Sequence, residues 1–339
     1  MHILIIRPGA IGDTLLTFPV IQALRAHYDN PHITLVSNPA VLPLAIKFGL
    51  AEEVSDYGQL QWSELFASAG IQQPALSAQL RQVDLAICWL RDSTGIVKHN
   101  LSMAGVKNVV VAPGRPTTGE RIHIVDYLAR SIGLGITDKR FHPVGAGEAG
   151  TGSGDPYGRL SDKRFHPVGA GEGEMWCGDP CGRPSLLQGR KEDEVTIAVH
   201  PGSGGAHKCW PVPCFAETIK QLWEHNCNVL ILLGPADHER WAELQKLLPA
   251  PPRPAMLKVM IDMPLTAVAE QVQQCRCYLG NDAGITHLAA RLGVSTIVLF
   301  GPSDPAVWQP VGPSVKIMQA EAFEDLPVIL IIESILRIL

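Results

Sequence analysis

The sequence predicts an α/β protein built from two doubly wound parallel-sheet units. Three observations carry that prediction. Short apolar runs alternate with amphipathic stretches at helical spacing, the pattern of strands buried on both faces and covered by helices. The alternation stops at a Gly- and Pro-rich stretch near residue 138 and restarts at Val195. The chain is 339 residues long, more than one hydrophobic core ordinarily serves.

In the first half, the opening run His2-Ile3-Leu4-Ile5-Ile6 reads as a buried parallel strand. After the turn Pro8-Gly9-Ala10-Ile11-Gly12, the residues Leu15, Leu16, Phe18, Val20, Ile21 and Leu24 repeat at helical spacing. Pro19 predicts an irregular first turn or a kink in that helix. Strands are expected over 32–36, 83–88 and 106–111, and helices over 40–48 and 122–132, the last with Ile124, Val125, Leu128 and Ala129 on one face.

The stretch 138–190 differs in kind. Asp138-Lys139-Arg140-Phe141-His142-Pro143-Val144-Gly145-Ala146-Gly147-Glu148 returns unchanged at 162–172, and Gly154-Asp155-Pro156 is echoed by Gly178-Asp179-Pro180. Two copies are too few for a solenoid, and the Gly and Pro content works against a packed core. The expectation is a duplicated, flexible linker insertion, in which a metal role for His142 and His166 is the lesser reading.

Beyond it, strands are expected over 195–199, 228–234, 277–280 and 295–301, and helices over 213–225, from Glu239 to Leu248, and over 265–274. A helix also follows the turn Asn281-Asp282-Ala283-Gly284. The tail from Leu326 to Arg337 reads as a short helix packed on the body, since Glu333 and Arg337 interrupt it. The domain reading is therefore 1–137, linker 138–190, 191–325, and a terminal helix over 326–339.

Composition narrows the function. A hydrophobic share of 46% with 18% charged residues is ordinary for a globular protein, and the net charge of −5 gives no reason to expect a nucleic-acid surface. The eight cysteines form neither a disulfide framework nor a zinc pattern, and reduced thiols in the cytoplasm fit them best. The N-terminus lacks the features of a signal peptide, and no segment reaches the ~20 apolar residues that span a bilayer.

Chemistry concentrates where strands give way to helices. In open α/β sheets ligands bind outside the carboxyl ends of the strands. Asp13 stands there in the first half, as a ligand-facing carboxylate or as a helix-capping one. The turn holding it is Gly9-x-x-Gly12, which is not a dinucleotide fingerprint, and no acidic residue ends the second strand. In the second half three loops share one edge: 201–210 with Ser203 and Lys208, 235–239 with Asp237 and Glu239, and 281–287 with Asp282, Ala283, Gly284 and His287. A glycine-rich backbone nest, a lysine, carboxylates and a helix N-terminus suit a nucleotide diphosphate. The competing reading makes Asp282 a simple N-cap and His287 a packed helix residue. No Walker-type G-x-x-x-x-G-K-[ST] occurs, which argues against ATP hydrolysis.

Four motifs in order resemble one family. Ile6-Arg7-Pro8-Gly9-Ala10-Ile11-Gly12-Asp13-Thr14-Leu15-Leu16-Thr17-Phe18-Pro19 is the first. His200-Pro201-Gly202-Ser203 with Lys208-x-Trp210-Pro211 is the second. Asn281-Asp282-Ala283-Gly284-x-x-His287-Leu288 and Phe300-Gly301-Pro302-Ser303-Asp304-Pro305 complete the set. Together they resemble the ADP-heptose:lipopolysaccharide heptosyltransferases of glycosyltransferase family nine, over about 1–137 and 191–312.

The resemblance implies the GT-B architecture, two Rossmann-like domains facing across a cleft with the sugar nucleotide mainly on the second. It implies inverting transfer of heptose from ADP-heptose to a lipopolysaccharide-core or lipid-linked sugar, with no obligatory metal or cofactor. On this match Asp13 is the catalytic base and Lys208 stabilises the departing charge. Ser203, Ala283 and Gly284 bind the diphosphate, Asp282 holds donor-sugar hydroxyls, His287 approaches the diphosphate, and Asp237 or Glu239 takes the nucleoside. Arg91, Lys98, Arg115 and Arg121 either face an anionic acceptor or are solvated surface charge. A cytoplasmic enzyme is implied, with peripheral contact at the inner membrane left open and no nucleic-acid partner. The alternatives are a GT-B sugar-nucleotide epimerase and a nucleotide-binding protein without catalysis.

Overall fold

The computed structural model describes residues 1–117, 119–135 and 195–339. The repeat-bearing linker expected over 138–190, with His142, His166, Cys177 and Cys181, lies outside the described residues.

The first unit runs β1 (His2–Ile6), α1 (Ile11–Leu15), α2 (Phe18–His27), β2 (His32–Ser37), α3 (Leu42–Lys47) and β3 (Glu53–Asp56). It continues with α4 (Pro74–Leu80), β4 (Leu85–Trp89), α5 (Ile96–Met103), β5 (Asn108–Ala112) and α6 (Ile124–Ser131). Its strands pair in parallel in the order β3-β2-β1-β4-β5. The expected irregularity at Pro19 is a full break. The chain leaves α1 after Leu15, turns, and starts α2 with Pro19 in the first turn, where a missing N–H costs no intrahelical bond.

The second unit runs β6 (Thr196–His200), α7 (Val212–Glu224), β7 (Asn228–Leu233), α8 (His238–Leu247), β8 (Leu257–Ile261) and α9 (Leu265–Val272). Then come β9 (Cys277–Asn281), α10 (Gly284–Arg291), β10 (Ser295–Phe300), α11 (Pro305–Trp308), β11 (Val315–Gln319) and α12 (Val328–Leu336). The sheet order is β11-β10-β9-β6-β7-β8, again parallel throughout. In each sheet the first strand of the unit, β1 or β6, sits centrally, with later strands reversing direction of travel across it. That is the doubly wound order, and its switch points lie between β1 and β4 and between β6 and β9.

Strand alternation divides the core. On β1, Ile3 and Ile5 face one apolar cluster and Leu4 and Ile6 another. On β7, Leu230 and Leu232 join the cluster of Ile3 and Ile5, whereas Val229, Ile231 and Leu233 face a third. One apolar cluster is thus continuous between the two units, through Ile285, Leu288 and Ala289 of α10. The tail helix α12 buries Ile331, Ile332 and Ile335 against that third cluster, beside α7. Among the described residues no helix is long and apolar enough to cross a membrane.

Three edge strands, β3, β8 and β11, were not expected, and neither were α4 and α5. Each of those edge strands is short and carries a charged residue (Glu53, Lys258, Lys316), so none reads as a buried apolar run.

Candidate active site

The site gathers at the carboxyl ends of β1, β6, β7 and β9, next to both switch points. The exit of β1 is fixed first. The Ser37 hydroxyl at the end of β2 donates to the Arg7 carbonyl, and the Arg7 side chain turns back to give Asp13 Oδ1 a hydrogen bond at 3.1 Å. Asp13 stands in the first turn of α1 and its Oδ2 accepts the Ala10 N–H at 3.0 Å, so it does cap its helix, from inside the first turn. Arg115 reaches the same Oδ2 at 3.3 Å. Two guanidinium groups therefore flank one buried carboxylate. Arg7 is itself buried, its side chain 4% exposed, while that of Arg115 is 67% exposed. Arg115 also lies over the Trp308 ring of the second domain, 5.4 Å from its centroid.

In the second domain Asp282 is not the N-cap of α10. That position belongs to Ala283, and the Asp282 carboxylate turns to Lys208, whose Nζ donates to Oδ2 at 2.9 Å. Ser203 Oγ donates to the Asp282 carbonyl at 2.8 Å. Ser203 and Lys208, on one loop, thus both meet Asp282, which is distant from them in sequence.

His287 is buried on the first turns of α10, with Nε2 3.9 Å from Asp282 Oδ1 and Nδ1 buried without a hydrogen-bond partner. Burial lowers its pKa to about 4, against an opposing pull from Asp282. The ring is neutral at physiological pH. Thr286, beside it, is turned inward: its hydroxyl donates to the Asn281 carbonyl at 2.6 Å, and the Tyr278 hydroxyl lies 3.0 Å away.

The two candidate acids of the 235–239 loop separate cleanly. Asp237 is buried, pairs with His200 Nε2 at 3.1 Å and accepts the Gly234 N–H at 2.8 Å. Burial acts to raise its pKa, but the His200 hydrogen bond and charge, the Gly234 amide and Arg240 outweigh it and bring it below the usual value. Glu239, in the first turn of α8, is exposed. Gly202 packs directly on Asp237, where any Cβ would collide with the carboxylate.

The domains touch through the site. A Cβ on Gly284 would lie 2.6 Å from Ile11 Cγ2 and 3.1 Å from the Gly12 N, so α1 rests on the first turn of α10. A Cβ on Gly12 would lie 3.2 Å from His287 Cδ2. Further ties surround this contact. Arg121 Nε donates to Asp304 Oδ2 at 3.0 Å, His123 Nε2 lies 3.0 Å from the Gln309 carbonyl, and Lys47 meets Glu270 at 2.7 Å. Asp13 of the first domain and the Lys208–Asp282–His287 group of the second thus face one another.

Asp13, Ser203, Lys208, Asp237, Glu239, Asp282, Ala283, Gly284 and His287 all lie along this edge, but sequence reasoning missed several partners. Arg7 was readable in principle, as a charge directly ending an otherwise apolar strand. His200 and Asn281 each open one of the quoted motifs, but nothing in the sequence assigned them a partner, and Arg240 lies in no motif. Of the basic residues considered for the acceptor side, Arg115 lies on Asp13 and Arg121 on Asp304, while Arg91 and Lys98 are exposed.

Comparison with known proteins places this arrangement. The family model of glycosyltransferase family 9 (heptosyltransferase) matches residues 184–328. Lipopolysaccharide heptosyltransferase 2 of Escherichia coli (strain K12) is 26% identical over 115 residues, 34% of this chain and 33% of that protein. A putative glycosyltransferase of Haemophilus influenzae is 29% identical over 122 residues, 34% of each chain. The matches to these curated relatives thus span about a third of their length. Among solved structures, the E. coli ADP-heptose lps heptosyltransferase II superposes with a TM-score of 0.70 at 19% identity, covering 100% of this chain and 98% of that one. E. coli heptosyltransferase WaaC with ADP gives 0.65 at 17% identity, with full coverage of both. The chain therefore carries the family nine likeness in sequence over its second domain, and shares over both domains the two-sheet GT-B fold of the solved heptosyltransferases.

Proposed function

We propose that the protein is an inverting glycosyltransferase moving heptose, or a closely related sugar, from ADP-heptose to a sugar of the lipopolysaccharide inner core. The observation that carries the reading is the meeting across the domain contact of a buried carboxylate, Asp13, with the Lys208–Asp282–His287 group. In this reading residues 1–137 serve the acceptor and 191–325 the donor. The acceptor is lipid-linked, and the protein meets it at the cytoplasmic face of the inner membrane.

The acceptor hydroxyl oxygen attacks the anomeric carbon from the face opposite the diphosphate. A carbon–oxygen bond forms as the bond to ADP breaks, and ADP leaves with the electron pair. Asp13 takes the hydroxyl proton, held in place by Arg7 and the Ala10 N–H. The charge growing on ADP is met by Lys208 and by the N–H groups of Ala283 and Gly284 at the start of α10. Asp282 and Ser203 orient the donor. His287, neutral in this setting, offers a hydrogen bond to the diphosphate without adding charge. Glu239 takes the ribose hydroxyls, because Asp237 is engaged by His200.

Thermal melting with nucleotides tests the donor half of this reading. A ligand at a hundred times its Kd adds ~2.7 kcal/mol to apparent stability. ADP raises the melting temperature while UDP and NAD leave it where it was. A rise with UDP and none with ADP overturns the ADP-heptose assignment.

A further inference from the structure

The loop from 201 to 210 carries Ser203 and Lys208, yet neither residue explains why it holds its shape. Gly202, Gly204 and Gly205 give it great backbone freedom, and 203–208 are only partly covered or exposed. Its two ends are held by side chains from other elements. Asn281, fully buried at the end of β9, donates through Nδ2 to the Pro201 carbonyl at 2.9 Å and the Gly202 carbonyl at 3.0 Å. The same side chain accepts the Trp210 N–H on Oδ1 at 2.9 Å. Arg240, on α8, donates from Nε to the Pro201 carbonyl at 2.9 Å and from Nη2 to the Trp210 carbonyl at 2.6 Å. Two side chains thus grip both ends of one loop, and both polar backbone groups of Trp210 are taken.

We infer that Asn281 and Arg240 are positioning residues of the donor site, closing the neck of the 201–210 loop and so setting where Ser203 and Lys208 stand against Asp282. The inference rests on the reading of this loop as the sugar-nucleotide site. Asn281 is suited to the task because its amide supplies two donors and an acceptor on one rigid plane, and the position must satisfy two carbonyls and an N–H. The adjacent residue is Asp282, so the side chain that fixes the loop and the side chain that receives Lys208 leave β9 in succession. Arg240 adds charge-assisted bonds in a fixed fork, a geometry that a lysine cannot reproduce. With the neck closed, the loop's conformational entropy is lost on folding and not on binding, which is the physical content of preorganisation. Arg240 follows Glu239, so the first turn of α8 both faces the nucleoside and holds the phosphate loop.

Arg240→Ala is the decisive variant, because Arg240 lies half-buried on the first turn of α8, whereas changes at the fully buried Asn281 threaten folding. Hydrogen exchange is measured on the full chain, together with ADP titration and donor kinetics. We expect faster exchange at amides of 203–209, with β6, β7 and β9 unchanged. ADP binding weakens about 10- to 100-fold, the loss of one or two charge-assisted bonds. The donor KM rises and kcat falls together, since Lys208 acts in the transition state. Arg240→Lys, keeping one donor, recovers part of the ADP affinity. A role confined to fold stability predicts instead a lower melting temperature with the loop exchange and ADP affinity of the parent, and that result overturns the inference. So does a loosened loop that binds ADP as before. Failure of the parent protein to bind ADP refutes the donor assignment, while the exchange measurement still reports whether the neck is held.

Discussion

Asp13 and Asp282 are both buried carboxylates at the carboxyl end of a central strand, yet their surroundings differ in a way that separates their tasks. Asp13 is flanked by two arginines and a backbone amide, which between them hydrogen-bond both its oxygens. Such a carboxylate is kept in one orientation. Asp282 has one lysine, on a loop half open to solvent, and a neutral histidine beyond it. A lysine is a point charge on a flexible stem, so Lys208 can share itself with a diphosphate without losing Asp282. The first carboxylate is fixed by rigid partners; the second is bound to a partner that substrate can recruit.

That contrast is broken most severely at Asp13. Asp13→Asn keeps an oxygen acceptor for Arg7 but removes the base, and kcat is expected to fall by ~10²- to 10⁴-fold. ADP affinity should stay near the parent value, measured by titration. A fall in melting temperature accompanies it, since Arg7 is then left buried beside a neutral amide. Lys208→Ala comes next, with kcat down by ~10²- to 10³-fold. Here, unlike at Asp13, ADP affinity falls as well.

Gly202→Ala tests the floor under the donor loop. The added methyl meets Asp237, and a stability loss of ~1–3 kcal/mol is expected in a denaturant titration. His287→Gln separates charge from packing. A free histidine binds its proton near pH ~6.5 and native His287 only near about 4, so through that window the unfolded chain holds the extra proton. Stability therefore falls as the pH is lowered across it, and the variant loses that part of the slope. The smallest effect belongs to the surface. Removing the exposed Lys47–Glu270 pair with Glu270→Ala should change stability by no more than ~0.5 kcal/mol. A much larger loss would show that this pair, and not the α1–α10 contact, holds the domains together.

The legibility of the sequence follows burial. Central strands such as β1, β7 and β10 are apolar on both faces and announce themselves, whereas β3, β8 and β11 at the edges mix Glu53, Lys258 and Lys316 into short runs. Candidate residues were readable because glycines and short polar residues cluster at strand ends. Most of their partners were not: Lys208 to Asp282, Asn281 to Trp210 and His200 to Asp237 are contacts made by the fold, with no local spacing to reveal them. The capping alternative proved right in part for Asp13, which caps α1 from its first turn. It failed for Asp282, because one residue's shift gives the cap position to Ala283. Asp237 and Glu239 were equivalent in sequence and differ only by which one turns inward to His200.

The central claim is that a base on the first domain and a donor site on the second perform one inverting transfer. Its most direct measurement is the incubation of the protein with ADP-heptose and defined truncated lipopolysaccharides, followed by NMR of the product linkage. The account predicts a heptose joined to an inner-core sugar with its anomeric configuration inverted relative to the donor, and one ADP released per linkage. Retention of configuration, or ADP release without a new linkage on any acceptor, would contradict it.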